Sequence, residues 1–414
     1  MNAEPKNRRE WQTSIVLVVI ALVFHLYFIL RSWKTPVQLF GDAVHYDHAA
    51  VYLLLRHVYS YWSYGPAAQV TPGYPLFLAF AYALTHLASH NHQVEMHVAQ
   101  TLQHLIAAGT VFILYRIMRY VLPRWAGVTG SVLWMIYPPV NWAADQLLTE
   151  TLYIATLLAF TWTFLIALRR PTFWYYVLAG AMLGVTTLVR PTILPLLFAP
   201  LILLLSREYR PRIASQLVNW GGYVGVFVLI MLPWWIRNLI TMHQFILTDQ
   251  DMGNPLLFGS DPNFQVDTSL ADGLTSTQQE QLAIHRIVQG FSHEPLLYFK
   301  WYTVDKLGLL FGTPWFTSHL GAHAGLLTTA TYYFAKLHLV WVILGAIGLV
   351  IGIWKPYLRW LTALTFFLIV VQLPFIPINR YVFPVMPYFF VGVMYLVVFA
   401  VSFVKNRRKP VIGA

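Results

Sequence analysis

The chain has 414 residues, of which 58% are hydrophobic and only 10% are charged, and its mean hydropathy is +0.58. Soluble domains carry about 25% charged residues, so this composition excludes a soluble protein and indicates an integral membrane protein. The net charge is +11, and the basic residues are distributed among short loops between apolar segments. This is the positive-inside pattern of a membrane protein, so we do not interpret the charge as a nucleic-acid binding surface. The chain has no cysteine, which excludes disulfides, thiolate nucleophiles and Cys-ligated metals.

Long apolar segments recur along the chain and predict an all-α polytopic protein that crosses the bilayer about 10 times (9–12). We interpret residues 1–414 as a single transmembrane domain. Basic residues near both termini place both termini in the cytoplasm by the positive-inside rule. The predicted membrane-spanning helices cover residues 12–32, 96–118, 125–141, 147–168, 173–189, 192–206, 215–236, 333–353, 360–376 and 383–403.

Two stretches, 33–95 and 238–332, are predicted to be long loops on the extracytoplasmic side. In the first loop, 42–62 is not apolar enough to span and is predicted to be an amphipathic helix at the outer interface. The segment 73–89 is apolar, and it is predicted to be interfacial because the flanking spans have their outer ends here. The same reasoning places 297–313, in the second loop, at the outer interface. Carboxylate and imidazole groups are therefore concentrated outside, where we expect the active site.

The first candidate for chemistry is Asp42, in the polar stretch 40–50 that follows the first apolar segment. Asp42, Tyr46 and Ala50 recur at helical spacing on one face, and Asp47 lies off that face. A carboxylate just outside the bilayer can act as general base for an acceptor hydroxyl or amine. The alternative is a capping role, because aspartate at a helix start satisfies free N–H groups.

The second acidic region contains Asp145 and Glu150, at the next outer turn. Glu150 already lies within the apolar pattern of the helix predicted over 147–168. Ionisable groups at such a depth are costly and are usually functional. The alternative is that Thr149 or Glu150 caps the first turn of the helix. We favour function for Glu150 and keep Asp145 as a further catalytic candidate.

Four basic residues run against the positive-inside bias. Arg190, Arg237 and Arg380 lie at predicted outer helix ends, and Lys306 lies within 297–313. A cationic cluster facing a cavity suits a phosphate or pyrophosphate, which arginine can bind in a bidentate manner. The alternative is that these side chains extend to the outer lipid headgroups. Four such residues on the same side favour an anion site.

The histidines cluster near predicted outer loops, at His86, His90, His92, His97, His319 and His323. Pairs at i, i+4 can bind a metal if they are helical, but no HExxH-like motif with an acidic partner accompanies them. We therefore predict no cofactor, and a divalent metal stays open as an alternative that no motif supports. The chain also lacks a Gly-rich phosphate loop and a Gly-x-Ser-x-Gly motif, which disfavours an ATPase or a serine hydrolase.

Several short motifs together resemble the GT-C superfamily of multi-pass glycosyltransferases. The resemblance extends over almost the whole chain and points to bacterial relatives of protein O-mannosyltransferases and of the lipid A aminoarabinose transferase. The motifs are Gly41-Asp42 with Tyr46 and Ala50, Thr71-Pro72-Gly73-Tyr74-Pro75-Leu76, Leu148-Thr149-Glu150-Thr151-Leu152, Leu188-Val189-Arg190-Pro191-Thr192, Pro233-Trp234-Trp235-Ile236-Arg237-Asn238 and Asn379-Arg380-Tyr381-Val382-Phe383-Pro384-Val385-Met386-Pro387.

The resemblance implies an inverting transfer of a sugar from a polyprenyl-phosphate carrier to a glycan, lipid or protein acceptor at the outer face of the plasma (inner) membrane. It implies that Asp42 is the general base and that Asp145 or Glu150 is the second acidic residue. The carrier phosphate would be bound by Arg190, Arg237, Lys306 and Arg380. We expect His45, Tyr46 and Tyr74 to line the substrate pocket.

The chain departs from the family pattern in two ways. Many members have an Asp-Glu pair in the first loop, whereas Ala43 follows Asp42 here, which weakens a metal role at that point. The chain is also short for an oligosaccharyltransferase with a large C-terminal extracytoplasmic domain, so peptide-sequon recognition is not expected.

Two other classes of protein stay open as alternatives: an O-antigen ligase or polymerase using a pyrophosphate donor, and a transporter of lipid-linked sugars. Helix centres nearly free of charge disfavour transport.

Overall fold

The computed structural model describes residues 8–61, 65–86, 91–202, 213–250, 253–262, 268–315 and 326–407. Helices dominate these ranges, and no strand occurs within them. The prediction of an all-α protein is therefore confirmed. The α-helices in chain order are α1 Arg8–Ser32, α2 Asp42–Arg56, α3 Gly73–His86, α4 His92–Met118, α5 Arg124–Met135, α6 Pro138–Asp145, α7 Glu150–Arg169, α8 Phe173–Val189, α9 Ala199–Ile202, α10 Ile213–Met242, α11 Gly253–Gly259, α12 Ser276–His293, α13 Pro295–Lys300, α14 Lys306–Phe311, α15 Leu326–Lys336, α16 His338–Ile351, α17 Pro356–Val370 and α18 Met386–Arg407.

Shorter helical segments of other types connect several of these helices. A π-helical turn, Trp301–Asp305, joins α13 to α14. The 3₁₀ segments among the described residues are Pro191–Phe198, Thr268–Ala271, Gly352–Trp354 and Asn379–Val385.

Among the described helices, five are long and apolar enough to cross a membrane: α1, α4, α7, α10 and the stretch Asn379–Lys405 around α18. Four shorter apolar helical stretches accompany them, at Phe173–Val189, Pro191–Ile202, His338–Trp354 and Pro356–Val370. The chain is a multi-pass membrane protein. The number of ten crossings remains a prediction, because a 17-residue helix such as α8 is only about 26 Å long against a hydrocarbon core of about 30 Å.

The long helices differ in how deeply they are enclosed. In the most apolar windows of α4 and α7, 56% and 67% of the residues are buried, against 22% in both α1 and α10. Helix α1 packs on α4, α7 packs between α4 and α8, and α10 packs on the other side of α8. We therefore place α4 and α7 in the core and α1 and α10 at the periphery, with apolar faces turned to lipid.

The prediction of one continuous helix over 125–141 is wrong. Helix α5 ends at Met135, and α6 begins at Pro138, with proline at its first position, and runs to Asp145. Proline lacks the N–H that would continue the earlier helix, but its fixed φ suits the first turn of a new one. Asp145 therefore ends a short helix instead of lying in an open loop.

Two other predicted helices change at their boundaries. The interfacial helix predicted over 42–62 ends earlier, at Arg56, because His57 adopts a left-handed conformation and its N–H closes the last turn. The helix predicted over 192–206 begins as the 3₁₀ segment Pro191–Phe198, which has a proline at its first position and another inside it. Both interfacial assignments in the first loop remain predictions.

The long loop predicted over 238–332 contains helices that the hydropathy pattern does not reveal. Helix α12 begins with a capping box, in which Thr275 and Gln278 satisfy each other's backbone N–H groups. The Thr-x-x-Gln spacing was the available signal for this helix. Downstream, the interfacial segment predicted over 297–313 corresponds to α13, the π turn and α14.

Candidate active site

Asp42 is the first residue of α2, and the turn before it depends on glycine. Gly41 precedes the helix with a φ of +55°, a conformation that L side chains rarely adopt. No side chain caps this helix start, so the capping alternative for Asp42 is wrong. Instead, the Asp42 carboxylate accepts a hydrogen bond from Nη1 of Arg380 at 2.7 Å, while 48% of its side chain stays exposed.

Glu150 is the first residue of α7 and is fully buried. Its Oε1 accepts hydrogen bonds from Nε of Arg380 and from Nη2 of Arg190. Arg190 also donates through Nε to the hydroxyl of Thr149 at 2.7 Å. The start of a helix favours a negative charge, so the position stabilises the carboxylate together with both guanidinium groups.

These four side chains form one ion-pair chain, Arg190–Glu150–Arg380–Asp42. Positive and negative groups alternate along it, so each buried charge has an opposite neighbour, as burial requires. The chain joins the starts of α2 and α7 to the end of α8 and to the 3₁₀ segment before α18. Both arginines and Glu150 are largely enclosed, and Asp42 is the half-exposed end.

Aromatic side chains lie directly beside Asp42. The buried Tyr46 ring, one turn along α2, packs edge-on against Tyr61 and Tyr74, with ring centroids 5.7 and 5.1 Å apart. The His45 ring lies 5.1 Å from that of Tyr61. Burial raises the pKa of Tyr46 and Tyr74 well above the usual value, so both hydroxyls stay protonated. His45, Tyr46 and Tyr74 thus share one aromatic wall with Tyr61, and their role in lining a substrate pocket stays a prediction.

A close helix contact brings this wall to the arginines. A Cβ on Gly73 would lie 2.5 Å from the carbonyl oxygen of Leu188, so glycine allows the start of α3 to approach the end of α8. Tyr74 follows Gly73, and Arg190 follows Leu188 by two residues. The Thr-Pro-Gly-Tyr and Val-Arg-Pro motifs therefore meet in space at the site.

A polar stripe on α4 holds the turn between α6 and α7. Gln100 and Gln103 donate to backbone carbonyls of residues 144–146 at 2.7–3.1 Å, and Nε2 of His104 lies 3.0 Å from Oδ1 of Asp145. Our sequence reasoning missed these α4 residues. Their spacing of i, i+3 and i+4 within an otherwise apolar span was the available signal. Asp145 thus bonds to a histidine, whereas Glu150 bonds to the arginines.

Comparison with known proteins identifies the fold. Residues 69–236 match the family model of dolichyl-phosphate-mannose-protein mannosyltransferases. The crystal structure of the Archaeoglobus fulgidus oligosaccharyltransferase in the apo form superposes with a TM-score of 0.60 at 15% identity, over 99% of this chain and 53% of that one. The chain has the GT-C fold.

Two further solved structures are similar to this chain. The oligosaccharyltransferase AglB of Archaeoglobus fulgidus, in complex with an inhibitory peptide and a dolichol-phosphate, matches with a TM-score of 0.56 at 15% identity, over 97% of this chain and 52% of that one. ArnT from Cupriavidus metallidurans bound to undecaprenyl phosphate gives a TM-score of 0.44 at 14% identity, over 96% and 79%. No curated protein matches by sequence. The chain spans about half the length of the oligosaccharyltransferase.

The match confirms the resemblance predicted from the motifs, at the level of the GT-C fold. The family model includes Glu150 and Arg190, and it ends before Arg237. Asp42 and Arg380 lie outside the matched range, and the ion-pair chain links them to it. The roles of all four residues remain predictions.

Arg237 lies in a different environment from the ion-pair chain. Its guanidinium donates to the backbone carbonyls of Tyr59 and Ala67, each at 2.7 Å, and packs over the rings of Tyr59 and Trp234. These contacts fasten the loop after α2 to α10. They do not favour the predicted role of Arg237 in binding the carrier phosphate, which stays a prediction.

Lys306 is buried, and its ammonium group donates to the backbone carbonyls of Leu373 and Phe375 at 2.5 and 2.9 Å. Burial lowers the pKa of Lys306 to about 7. The bonded segment leads into the 3₁₀ segment that carries Arg380. In the contacts of the described residues, Lys306 supports the backbone before Arg380 and does not touch a carboxylate of the ion-pair chain. Its predicted phosphate contact stays untested.

His86 and His92, which the sequence predicts to be outside, form a second polar cluster with Asp47 and Glu95. Asp47 accepts a hydrogen bond from the hydroxyl of Tyr82 at 2.6 Å and pairs with His92, which also contacts Glu95 at 2.7 Å. His86 lies 2.5 Å from the other oxygen of Glu95. The cluster ties α2 to α3 and α4.

The histidines near the predicted outer loops are also candidate metal ligands, because some of them lie four residues apart in the sequence. Among the described residues, no group of three or more His, Asp or Glu side chains is arranged to hold a metal ion. Three of the histidines considered from the sequence, His90, His319 and His323, lie outside the described residues. Function without a cofactor remains a prediction.

Proposed function

We propose that the protein is an inverting glycosyltransferase that moves a sugar from a polyprenyl-phosphate carrier to an acceptor on the extracytoplasmic face, with Asp42 as general base. The observation that carries the proposal is the half-exposed Asp42 carboxylate, oriented by Arg380, which also bonds to the buried Glu150. The GT-C fold supports it, since an oligosaccharyltransferase of that fold occurs in complex with a dolichol-phosphate.

The proposed reaction is a single displacement at the anomeric carbon of the donor sugar. Asp42 takes the proton of an acceptor hydroxyl or amine while the lone pair of that group attacks the anomeric carbon. The bond from this carbon to the phosphate oxygen breaks, and the electron pair leaves with the polyprenyl phosphate. Attack from the face opposite the leaving group inverts the configuration.

The leaving phosphate needs fixed positive charge more than it needs a proton, because a phosphate oxygen is only weakly basic. Arg380 is the cation next to the proposed base, and Arg190 is held behind it by the shared Glu150. We assign the donor phosphate first to these two arginines. Their pairing with Glu150 keeps both guanidinium groups oriented before substrate arrives, which lowers the reorganisation that transfer requires.

The orientation in the membrane is also part of the proposal. The ion-pair chain connects the end of α8 with the starts of α7 and of the stretch Asn379–Lys405, so these helix ends meet on one side of the bundle. The opposite ends of α7 and of that stretch carry Arg169 and Lys405. By the positive-inside rule the basic ends face the cytoplasm, which supports an extracytoplasmic site.

The test is a transfer assay with purified protein and a panel of polyprenyl-phosphate sugars. We expect Asp42→Asn to lower the rate of transfer by about 100-fold or more, the usual contribution of a general base. The variant should still fold, because Glu150 keeps a counter-charge on Arg380 when the Asp42 side chain becomes neutral.

Asp272→Asn is the matched control, since Asp272 is exposed and remote in sequence from the ion-pair chain. It should transfer at the wild-type rate. Retained transfer by Asp42→Asn would exclude the general-base role, and transfer of no sugar by the wild type would count against the function itself.

A further inference from the structure

Two buried histidines extend from Asp145 into the helix bundle. His104 on α4 contacts Oδ1 of Asp145 through Nε2 at 3.0 Å, and its Nδ1 lies 3.0 Å from Nδ1 of His25 on α1. Neither histidine is exposed. Phe24 and Phe28 pack against the two rings, so the surroundings of the pair are apolar.

The contact between the two rings limits where their protons lie. The two Nδ1 atoms lie within hydrogen-bond distance of each other, so one of them carries a proton and the other accepts it.

The unpartnered atom decides which nitrogen carries the proton. Nε2 of His25 is buried, and none of the described groups bonds to it. A buried N–H without an acceptor is rarer than a buried acceptor without a donor. Nε2 of His25 is therefore the bare nitrogen, and His25 donates from Nδ1 to Nδ1 of His104. His104 then carries its only proton on Nε2, directed at Asp145.

We propose that His104 is a positioning residue that holds Asp145 as a hydrogen-bond acceptor for a hydroxyl group of the sugar or the acceptor, and that His25 selects the tautomer of His104. The Asp145 side chain is 34% exposed, so it is accessible to a hydroxyl donor. Gln100 and Gln103 immobilise the backbone on both sides of it. The substrate contact rests on the proposed function, whereas the tautomer assignment does not.

The tautomers can be read without any activity assay. In ¹⁵N-histidine NMR spectra of the purified protein, we expect His104 as the neutral Nε2–H form and His25 as the neutral Nδ1–H form. Signals are assigned by their loss in His25→Leu and His104→Gln. His25→Leu should also weaken the tautomer preference of His104. An imidazolium at either position, or the opposite tautomers, would overturn the proposal.

The transfer assay tests the positioning role. His104→Leu and Asp145→Asn should each lose about tenfold in transfer, the worth of one hydrogen bond to a charged group. His104→Gln should stay within about threefold of wild type, because its amide N–H can replace Nε2–H toward Asp145.

Equal transfer by His104→Leu and His104→Gln, with both folded by thermal unfolding, would show that the ring only fills space. If the wild type transfers no sugar, the proposed function fails, and the NMR spectra still decide the tautomers.

Discussion

Glu150 is the residue on which the candidate site depends most for its stability. One of its oxygens, Oε1, accepts from both Arg190 and Arg380, and the other has no partner among the described groups. Moving a charged group from water into the protein interior costs several kcal/mol unless the group is paired with an opposite charge. Two guanidinium groups on one carboxylate leave an excess of positive charge, which Asp42 balances at the exposed end.

We predict that Glu150→Gln lowers the free energy of unfolding by about 3–5 kcal/mol, because it leaves Arg190 without a counter-charge in a buried site. Unfolding in detergent, followed by heat or denaturant, measures the change. Glu280→Gln is the control, since Glu280 is exposed on α12, and it should unfold like the wild type. A Glu150→Gln protein as stable as the wild type would contradict the buried pairing.

At the level of helices, the site depends on the close approach of α3 to α8. Both helices contribute to it: α3 supplies Tyr74 at its start, and the end of α8 leads into Arg190. The backbones meet at Gly73, where a side chain would collide with the carbonyl of Leu188. The hydroxyl of Tyr74 also donates to Gln103 at 3.0 Å, so the same contact connects α3 to α4.

We predict that Gly73→Ala destabilises the protein by about 1–3 kcal/mol, as overpacking does, and lowers transfer because α3 must move away from Arg190. Thermal unfolding and the transfer assay measure the two effects. The matched control is Gly109→Ala in α4, where a Cβ would meet nothing within 4 Å. If Gly73→Ala and Gly109→Ala have the same thermal stability and the same transfer rate, the site does not depend on the close approach of α3 to α8 at Gly73.

At the scale of the whole molecule, the candidate site lies at the ends of helices. The ion-pair chain joins ends of helices that pack side by side. A lipid-linked donor has its phosphate at the bilayer surface, so a site at helix ends can receive it without drawing the charged group into the core.

The absence of cysteine makes the orientation directly testable. We predict that Asp272→Cys, in the long loop, reacts with a membrane-impermeant maleimide in intact cells. Lys355→Cys, in the short connection before α17, should react only after the membrane is permeabilised. Both positions are exposed, so access to the reagent depends on the side of the membrane. The reverse labelling pattern would place the ion-pair chain on the cytoplasmic side.

Single residues of the site could be predicted because charge is rare in this chain. Glu150 interrupts an apolar pattern, Arg190 and Arg380 interrupt the positive-inside pattern, and Asp42 lies in a short polar stretch of a chain that is poor in charge. Their pairing could not be predicted, since Asp42 and Arg380 are far apart in the chain. Arg237 interrupts the same kind of pattern, and it bonds to backbone carbonyls instead.

Hydropathy alone indicated the all-α class and the membrane location, because both depend on composition and local periodicity, and the resemblance of the motifs in their order indicated the GT-C fold. Tertiary structure decided which charges meet, that the helix predicted over 125–141 breaks into α5 and α6, and that His104 faces Asp145. The physical reason is the separation along the chain of the residues that each feature involves. Burial patterns repeat every few residues along a helix, whereas hydrogen bonds and ion pairs depend on which helices pack together.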